Sequence, residues 1–222
     1  VVQLMSTGVD FIDEILGGGL QPGTLTVIRG ATGVGKTQLG LSFLNQGQAQ
    51  EGQRGILMDL ASRGDSQQHA QYAKRHFNWD MSEGAIEASQ VFSELFERVD
   101  YYSSFQYSGQ RVVRDNMTEE EWRAWKRLLN ERLHGVIAHL YAHFVHGVQR
   151  LVVDGIEPFD KAGDSIQIEL FEYILHKILH KRHDLVARDL FRGSWLEVRD
   201  AVAAHPYDAD RLTSVFLQTT RE

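Results

Sequence analysis

The chain has 222 residues, 42% of them hydrophobic and 24% charged, with a net charge of −7 and no cysteine. Its length accommodates one large domain with a substantial core, so 1–222 reads as a single domain rather than two small ones. The composition excludes disulfides and cysteine-ligated zinc, the acidic balance gives no general attraction to nucleic-acid backbones, and no apolar run approaches the ~18 residues that span a bilayer. No secretory pattern opens the chain, and the lack of cysteine fits a reducing compartment, so a cytoplasmic protein is expected. The start at Val1, without an initiator methionine, implies that the ends are not the native ones.

After an N-terminal stretch with GGG at 17–19, the β-rich run Thr24–Arg29 (TLTVIR) reads as a first strand. A helix starts within GVGKTQLGLSFLNQ. The apolar run Gly55–Leu60 (GILMDL) reads as a buried strand, followed by a helix from about Ser66 to His76 with Asp65-Ser66 as its cap. Arg98–Tyr102 (RVDYY) reads as a third strand, and the polar stretch 103–116 as a long loop. Thr118 and Glu121 have capping-box spacing, which predicts a long amphipathic helix running to about His146 and ended by Gly147. Arg150–Asp154 (RLVVD) is a second buried strand. Helices over about Ser165–Arg182 and around Trp195–Ala203 precede a last strand, Thr213–Leu217. Strands alternating with helices imply parallel βαβ units: an α/β fold, mostly parallel sheet, with helices on both faces. There is no internal repeat and no low-complexity segment.

GATGVGKT at 30–37 matches G-x-x-x-x-G-K-[ST] at every fixed position, with an apolar strand before it and a helix pattern after it. Gly30, Gly33 and Gly35 let the backbone wrap closely around phosphates and turn its N–H groups inward. The helix that begins there adds the positive end of its dipole. Lys36 is placed to reach the β- and γ-phosphates of ATP, and the Thr37 hydroxyl to join the shell of a Mg²⁺ ion. The expected nucleotide contacts are thus Gly30, Ala31, Thr32, Gly33, Val34, Gly35, Lys36, Thr37 and Gln38. RLVVD then delivers Asp154 at a strand end, where its carboxylate can hold the same metal through water.

Residues 6–47, STGVDFIDEILGGGLQPGTLTVIRGATGVGKTQLGLSFLNQG, resemble the RecA superfamily and within it the KaiC-like ATPases. The resemblance rests on the Ser-Thr-Gly start, the Asp-Glu-x-Leu-x-Gly-Gly-Gly-Leu stretch and the Pro-Gly before the first strand. It continues through GILMDL and FNWD (77–80), resumes at RLVVDG, and covers about half the chain; 84–146 and 157–212 are poorly matched. It implies a RecA-like P-loop NTPase core, Mg-ATP at subunit interfaces, and a homo-oligomer that is often hexameric. It also implies further strands beyond 213–217, so the expectation is a domain lacking its C-terminal strands.

The resemblance further implies a water-activating glutamate at the end of the second strand, commonly two in succession. Those positions fall on Ala61 and Ser62 here. General-base help of this kind is worth roughly 10²–10⁴ in rate, so ATP binding with slow or absent hydrolysis is expected. Asp59, Asp65 and Glu157 are the weak candidates for a substitute base, with Asp65 better explained as a cap. Thr219 or Thr220, past the last strand, is a candidate γ-phosphate sensor, again because the family places a polar residue there.

Two histidine triplets, His139/His143/His146 and His176/His180/His183, each line one helix face. Leu133, Ile137, Leu140 and Phe144 mark the opposite face of the first helix, so its histidines are expected on a solvated side. Trp122 and Trp125 read as packing residues, and the basic run 176–183 as a helix C-terminal half. The reading that follows is a KaiC-like ATP-binding switch or scaffold, with a protein partner. The alternatives are a DNA-dependent RecA-like ATPase and an autokinase or P-loop kinase. The missing glutamate and the negative charge count against DNA, and the absence of an Arg-rich lid against a small-molecule kinase.

Overall fold

A strand buried on both faces needs an apolar side chain at nearly every position, and Ile56–Asp59 (ILMD) and Arg150–Asp154 (RLVVD) are buried throughout. The structure, a computed structural model, describes residues 3–31, 33–60, 68–84, 98–103, 106–107, 110–111, 117–145, 147–155 and 212–218. In chain order the elements are α1 (Asp10–Ile15), β1 (Leu25–Arg29), α2 (Lys36–Gln50), β2 (Ile56–Asp59), α3 (His69–Phe77) and β3 (Glu83–Gly84). They continue with β4 (Tyr101–Ser103), β5 (Gln106–Tyr107), β6 (Gln110–Arg111), α4 (Glu119–Val145), β7 (Arg150–Asp154) and β8 (Leu212–Gln218).

The main sheet has six strands in the order β1-β8-β7-β2-β4-β3, and β5-β6 form a separate small hairpin. The pairs β7–β2, β2–β4 and β4–β3 are parallel, while β8 is antiparallel to both β1 and β7. Five strands therefore share one direction, as a mostly parallel α/β sheet should, and β8 alone runs against them. The expected mostly parallel sheet is thus present, with β8 as its exception. A parallel strand needs a crossover that returns the chain to the opposite edge of the sheet. Here the chain leaves β7 at Asp154 and re-enters at the same edge, where Ser214 pairs with Asp154.

Alternation along β4 shows helices on both faces. Tyr101 packs its ring against His69 of α3, whereas Tyr102 points to the other side, against His139 of α4. The α2/α3 face carries a core that includes Leu41, Phe43, Leu44, Leu57, Tyr101 and Val152. By the same two-residue period Asp59 and Asp154 fall on this face, at the C-terminal edge of the sheet.

α2 lies along β7 and is fastened to it at both ends. At its start, Thr37 Oγ donates to Asp154 at 2.7 Å. At its far end, the fully buried Arg150 makes a two-pronged contact with Glu51: Nε to Oε2 at 2.7 Å and one terminal nitrogen to Oε1 at 2.8 Å. The same guanidinium donates to the carbonyls of Ser6 (2.6 Å) and Phe43 (2.7 Å) and to Gln50 Oε1, and lies 4.5 Å from the Phe43 ring centre. It thereby ties the N-terminal strap to the sheet.

The capping box of α4 is present in full. Thr118 N–H and its hydroxyl donate to Glu121 Oε2, both at 2.8 Å, and Glu121 N–H donates back to Thr118 Oγ at 3.2 Å. Gly147, at φ +107°, closes the helix with its N–H on Phe144 O, as expected. Trp125 is buried and stacks with Trp122 at 5.0 Å, which is packing. The solvated face expected for His139 and His143 is corrected: they are 1% and 5% exposed. His143 Nε2 accepts the Val99 amide at 3.4 Å. The two histidines sit one step (about 100°) round the helix from the buried Leu140 and Phe144, so the packed stripe is wider than the apolar positions alone indicated. The polar stretch expected to be a loop contains the β5-β6 hairpin, whose two-residue strands are too short to alternate visibly. The third strand begins at Tyr101 rather than Arg98, and the short edge strand β3 beside it is an addition. His146, the second histidine triplet, and the helices expected at 165–182 and 195–203 lie outside the described residues.

Candidate functional site

β1 ends at Arg29, and the next residues turn sharply into α2. Gly33 and Gly35 adopt φ of +83° and +92°, a region in which a side chain is strained, so the two glycines let the loop curl back over the helix start. Gly35 itself is the N-cap, with no side chain capping the helix and no acidic residue in its first turn. The amides there are left for an anion, and the helix dipole favours one. Val34 stands 63% exposed at the loop tip.

Lys36 is buried, and its ammonium donates to the carbonyls of Gly30 (2.7 Å) and Ala31 (2.6 Å). Burial pulls its pKa below the usual lysine range, and the nearby Asp154 charge works in the opposite direction. These two carbonyl contacts are the ones a phosphate can replace by drawing the ammonium into the loop.

On the sheet side, Asp154 is 2% exposed and both of its oxygens are held. Oδ2 accepts the Thr37 hydroxyl, and Oδ1 accepts the Gly155 amide at 2.8 Å. Asp154 and Asp59 are direct partners across β7 and β2. Between their carboxylates sits the His69 ring, fully buried, with Nε2 at 3.1 Å from Asp154 Oδ2 and Nδ1 at 3.9 Å from Asp59 Oδ2. The Tyr101 hydroxyl donates to Asp59 Oδ2 at 3.0 Å.

Of the residues expected from the sequence, Gly30, Ala31, Gly33, Val34, Gly35, Lys36, Thr37 and Gln38 form the loop and helix start, and Asp154 stands beside them. Asp59 is 1% exposed and engaged with Tyr101 and His69. Thr32, Ala61, Ser62, Asp65, Glu157, Thr219 and Thr220 lie outside the described residues. The last described residue of β8, Gln218, pairs with Arg150, at the sheet edge away from Asp154.

Sequence reasoning missed His69 and Tyr101. No local motif marks either; the only usable signal was that Asp59 and Asp154, both ending apolar strands, needed buried partners. Among the described residues, no group of three or more His, Cys, Asp or Glu has the geometry to hold a metal by itself. A hydroxyl and one carboxylate next to a phosphate-shaped loop suit an ion that takes its remaining ligands from phosphate and water, as Mg²⁺ does. Among the described residues, no helix is long and apolar enough to cross a membrane.

A family model described as "ATPase: KaiC" matches residues 5–181. The circadian clock oscillator protein KaiC of Prochlorococcus marinus is 30% identical over 136 residues, 53% of this chain and 26% of that protein. Its counterpart in Parasynechococcus marenigrum is 31% identical over 132 residues, again 53% and 26% of the two chains. The circadian clock protein KaiC2 of Synechocystis sp. is 44% identical over 54 residues, 24% of this chain and 10% of that protein. The matched stretch thus spans about a quarter or less of these relatives. No solved structure matches this chain.

Proposed function

The chain belongs to the KaiC ATPase family, and from that premise we propose that it is an Mg-ATP-binding switch or scaffold with slow turnover. The observation that carries the reading is the pairing of an uncapped helix start behind Gly33 and Gly35 with Thr37 and Asp154 in direct contact at 2.7 Å. The loop amides of 30–37 cradle the phosphates. Lys36 exchanges its two carbonyl partners for phosphate oxygens. Thr37 and Asp154 hold the Mg²⁺ ion, which supplies neutralisation of the phosphate charge when bound. In this reading the Asp154 carboxylate serves the metal side and not the attacking water.

Slow turnover follows from residues 61 and 62. The family carries glutamate there; Ala61 has only a methyl group, and the Ser62 hydroxyl is far too weakly basic to deprotonate water. Asp59 is no substitute, because Tyr101 and His69 occupy it in the interior. Output then comes from the bound state itself, through assembly with further copies of the chain or with a protein partner. The relatives above are named as circadian clock proteins, and the match spans about a quarter or less of their length.

Calorimetry with Mg-ATP, combined with phosphate release with and without single-stranded DNA, tests this. Binding with turnover well under about 0.1 s⁻¹, a hundredth of the usual enzyme median, supports it. No heat and no melting shift with Mg-ATP would remove the reading, and strong DNA stimulation would favour a DNA-dependent ATPase.

A further inference from the structure

We propose that His69 is the positioning residue of the metal side of this site, fixing the Asp154 carboxylate together with Thr37. The inference rests on the reading that Asp154 and Thr37 hold the metal.

The ring is fully buried at the first residue of α3, directly after Gln68 in the left-handed region at φ 52°. Helix formation does not call for histidine there, and a buried imidazole is costly unless its nitrogens are engaged. Nε2 lies 3.1 Å from Asp154 Oδ2. An ionised carboxylate only accepts, so Nε2 carries the hydrogen and donates it. The same oxygen receives the Thr37 hydroxyl at 2.7 Å, while Oδ1 receives the Gly155 amide at 2.8 Å. Three donors from three parts of the chain thus set the plane of one carboxylate. Two of them belong to the loop region and the strand end; His69 is the one brought in from elsewhere in the fold.

The ring is buttressed in its turn. Nδ1 faces Asp59 Oδ2 at 3.9 Å, too long for a hydrogen bond, so Asp59 bounds the ring by contact and not by bonding it. Asp59 is pinned by the Tyr101 hydroxyl at 3.0 Å, and the Tyr101 ring lies 5.5 Å from that of His69. The path Tyr101–Asp59–His69–Asp154–Thr37 therefore runs from β4 across β2 and β7 to the first turn of α2. A carboxylate that binds metal works best when its orientation is fixed in advance, and losing such outer partners typically costs 10–100-fold in metal affinity.

The test separates metal from nucleotide. Mn²⁺ serves as a spin-active stand-in: its uptake by the protein–ATP complex is followed by electron paramagnetic resonance, and ATP binding in EDTA by calorimetry. His69→Leu is expected to weaken Mn²⁺ uptake about 10–100-fold while metal-free ATP affinity stays within about twofold. His69→Gln, whose amide N–H can reach Asp154, is expected to recover most of the loss. Should His69→Leu fail to fold, Tyr101→Phe, which only loosens Asp59, is expected to give a smaller loss of the same kind. Unchanged Mn²⁺ uptake in the Leu variant (in Tyr101→Phe, if that variant must stand in), equal loss of both affinities, or a Gln variant no better than Leu overturns the positioning role. Wild-type protein that takes up no Mn²⁺ with ATP overturns the metal site and this inference together.

Discussion

Replacing Arg150 by methionine tests the fastening at the far end of α2. The guanidinium is completely buried, and the Glu51 side chain is 10% exposed, so the pair is screened little by water. Methionine has similar length but no donor. It leaves a nearly buried carboxylate without its counter-charge and removes the N–H that the Ser6 carbonyl accepts at 2.6 Å. Removing one partner of a buried pair costs about 3–5 kcal/mol, set against total stabilities of about 5–15 kcal/mol. For a chain of this size that is a fall of about 6–20 °C in Tm. Urea and thermal unfolding followed by circular dichroism read it directly. The double variant Arg150→Met/Glu51→Met is expected to be less destabilised than the single one, because the stranded charge is gone. A single-variant cost below about 1 kcal/mol, the range of a surface pair, would refute the assignment of Arg150 as the tie between strap, helix and strand.

Lys36→Met is expected to weaken ATP binding by about 10–100-fold in calorimetry without lowering Tm, since it removes one charge-assisted contact to phosphate. Ala61→Glu is expected to raise phosphate release, up to about 10²–10⁴-fold if the restored carboxylate reaches the water; no increase would detach slow turnover from residue 61. Burial pushes the Asp13 carboxyl up, but hydrogen bonds from the Ser6 hydroxyl, the Thr7 amide and the Thr7 hydroxyl outweigh it and hold the pKa below the usual 3.8. A depressed folded pKa gives stability that is present above 3.8 and lost as the pH falls through the folded value. Asp13→Asn should therefore be less stable than wild type near neutrality, and the gap in urea midpoint should close in strong acid.

The phosphate loop was legible because all its requirements are contiguous: strand, glycines, lysine, hydroxyl and helix follow one another from Thr24 onward. Asp154 was legible as the acid ending an apolar run, and the Thr118/Glu121 box because its spacing is local. His69 and Tyr101 were not, since they meet only through the register that sets β4 beside β2 and through the side of the sheet on which α3 lies. Nor did helical periodicity reveal that His139 and His143 are buried, because it reports where apolar side chains cluster and not how wide a flank the sheet covers. The direction of β8 was hidden for a related reason: an apolar run such as TSVFL pairs equally well either way round, and only its neighbours decide.

The strand that ends in the phosphate loop and the strand that ends in Asp154 are not neighbours; β8 lies between them as a shim. Two strand spacings, about 9.5 Å, separate the roots of the site's two halves. The Thr37–Asp154 contact closes that gap from above. Whatever shifts the shim sideways changes the aperture between the halves, so this segment far along the chain calibrates a pair of jaws.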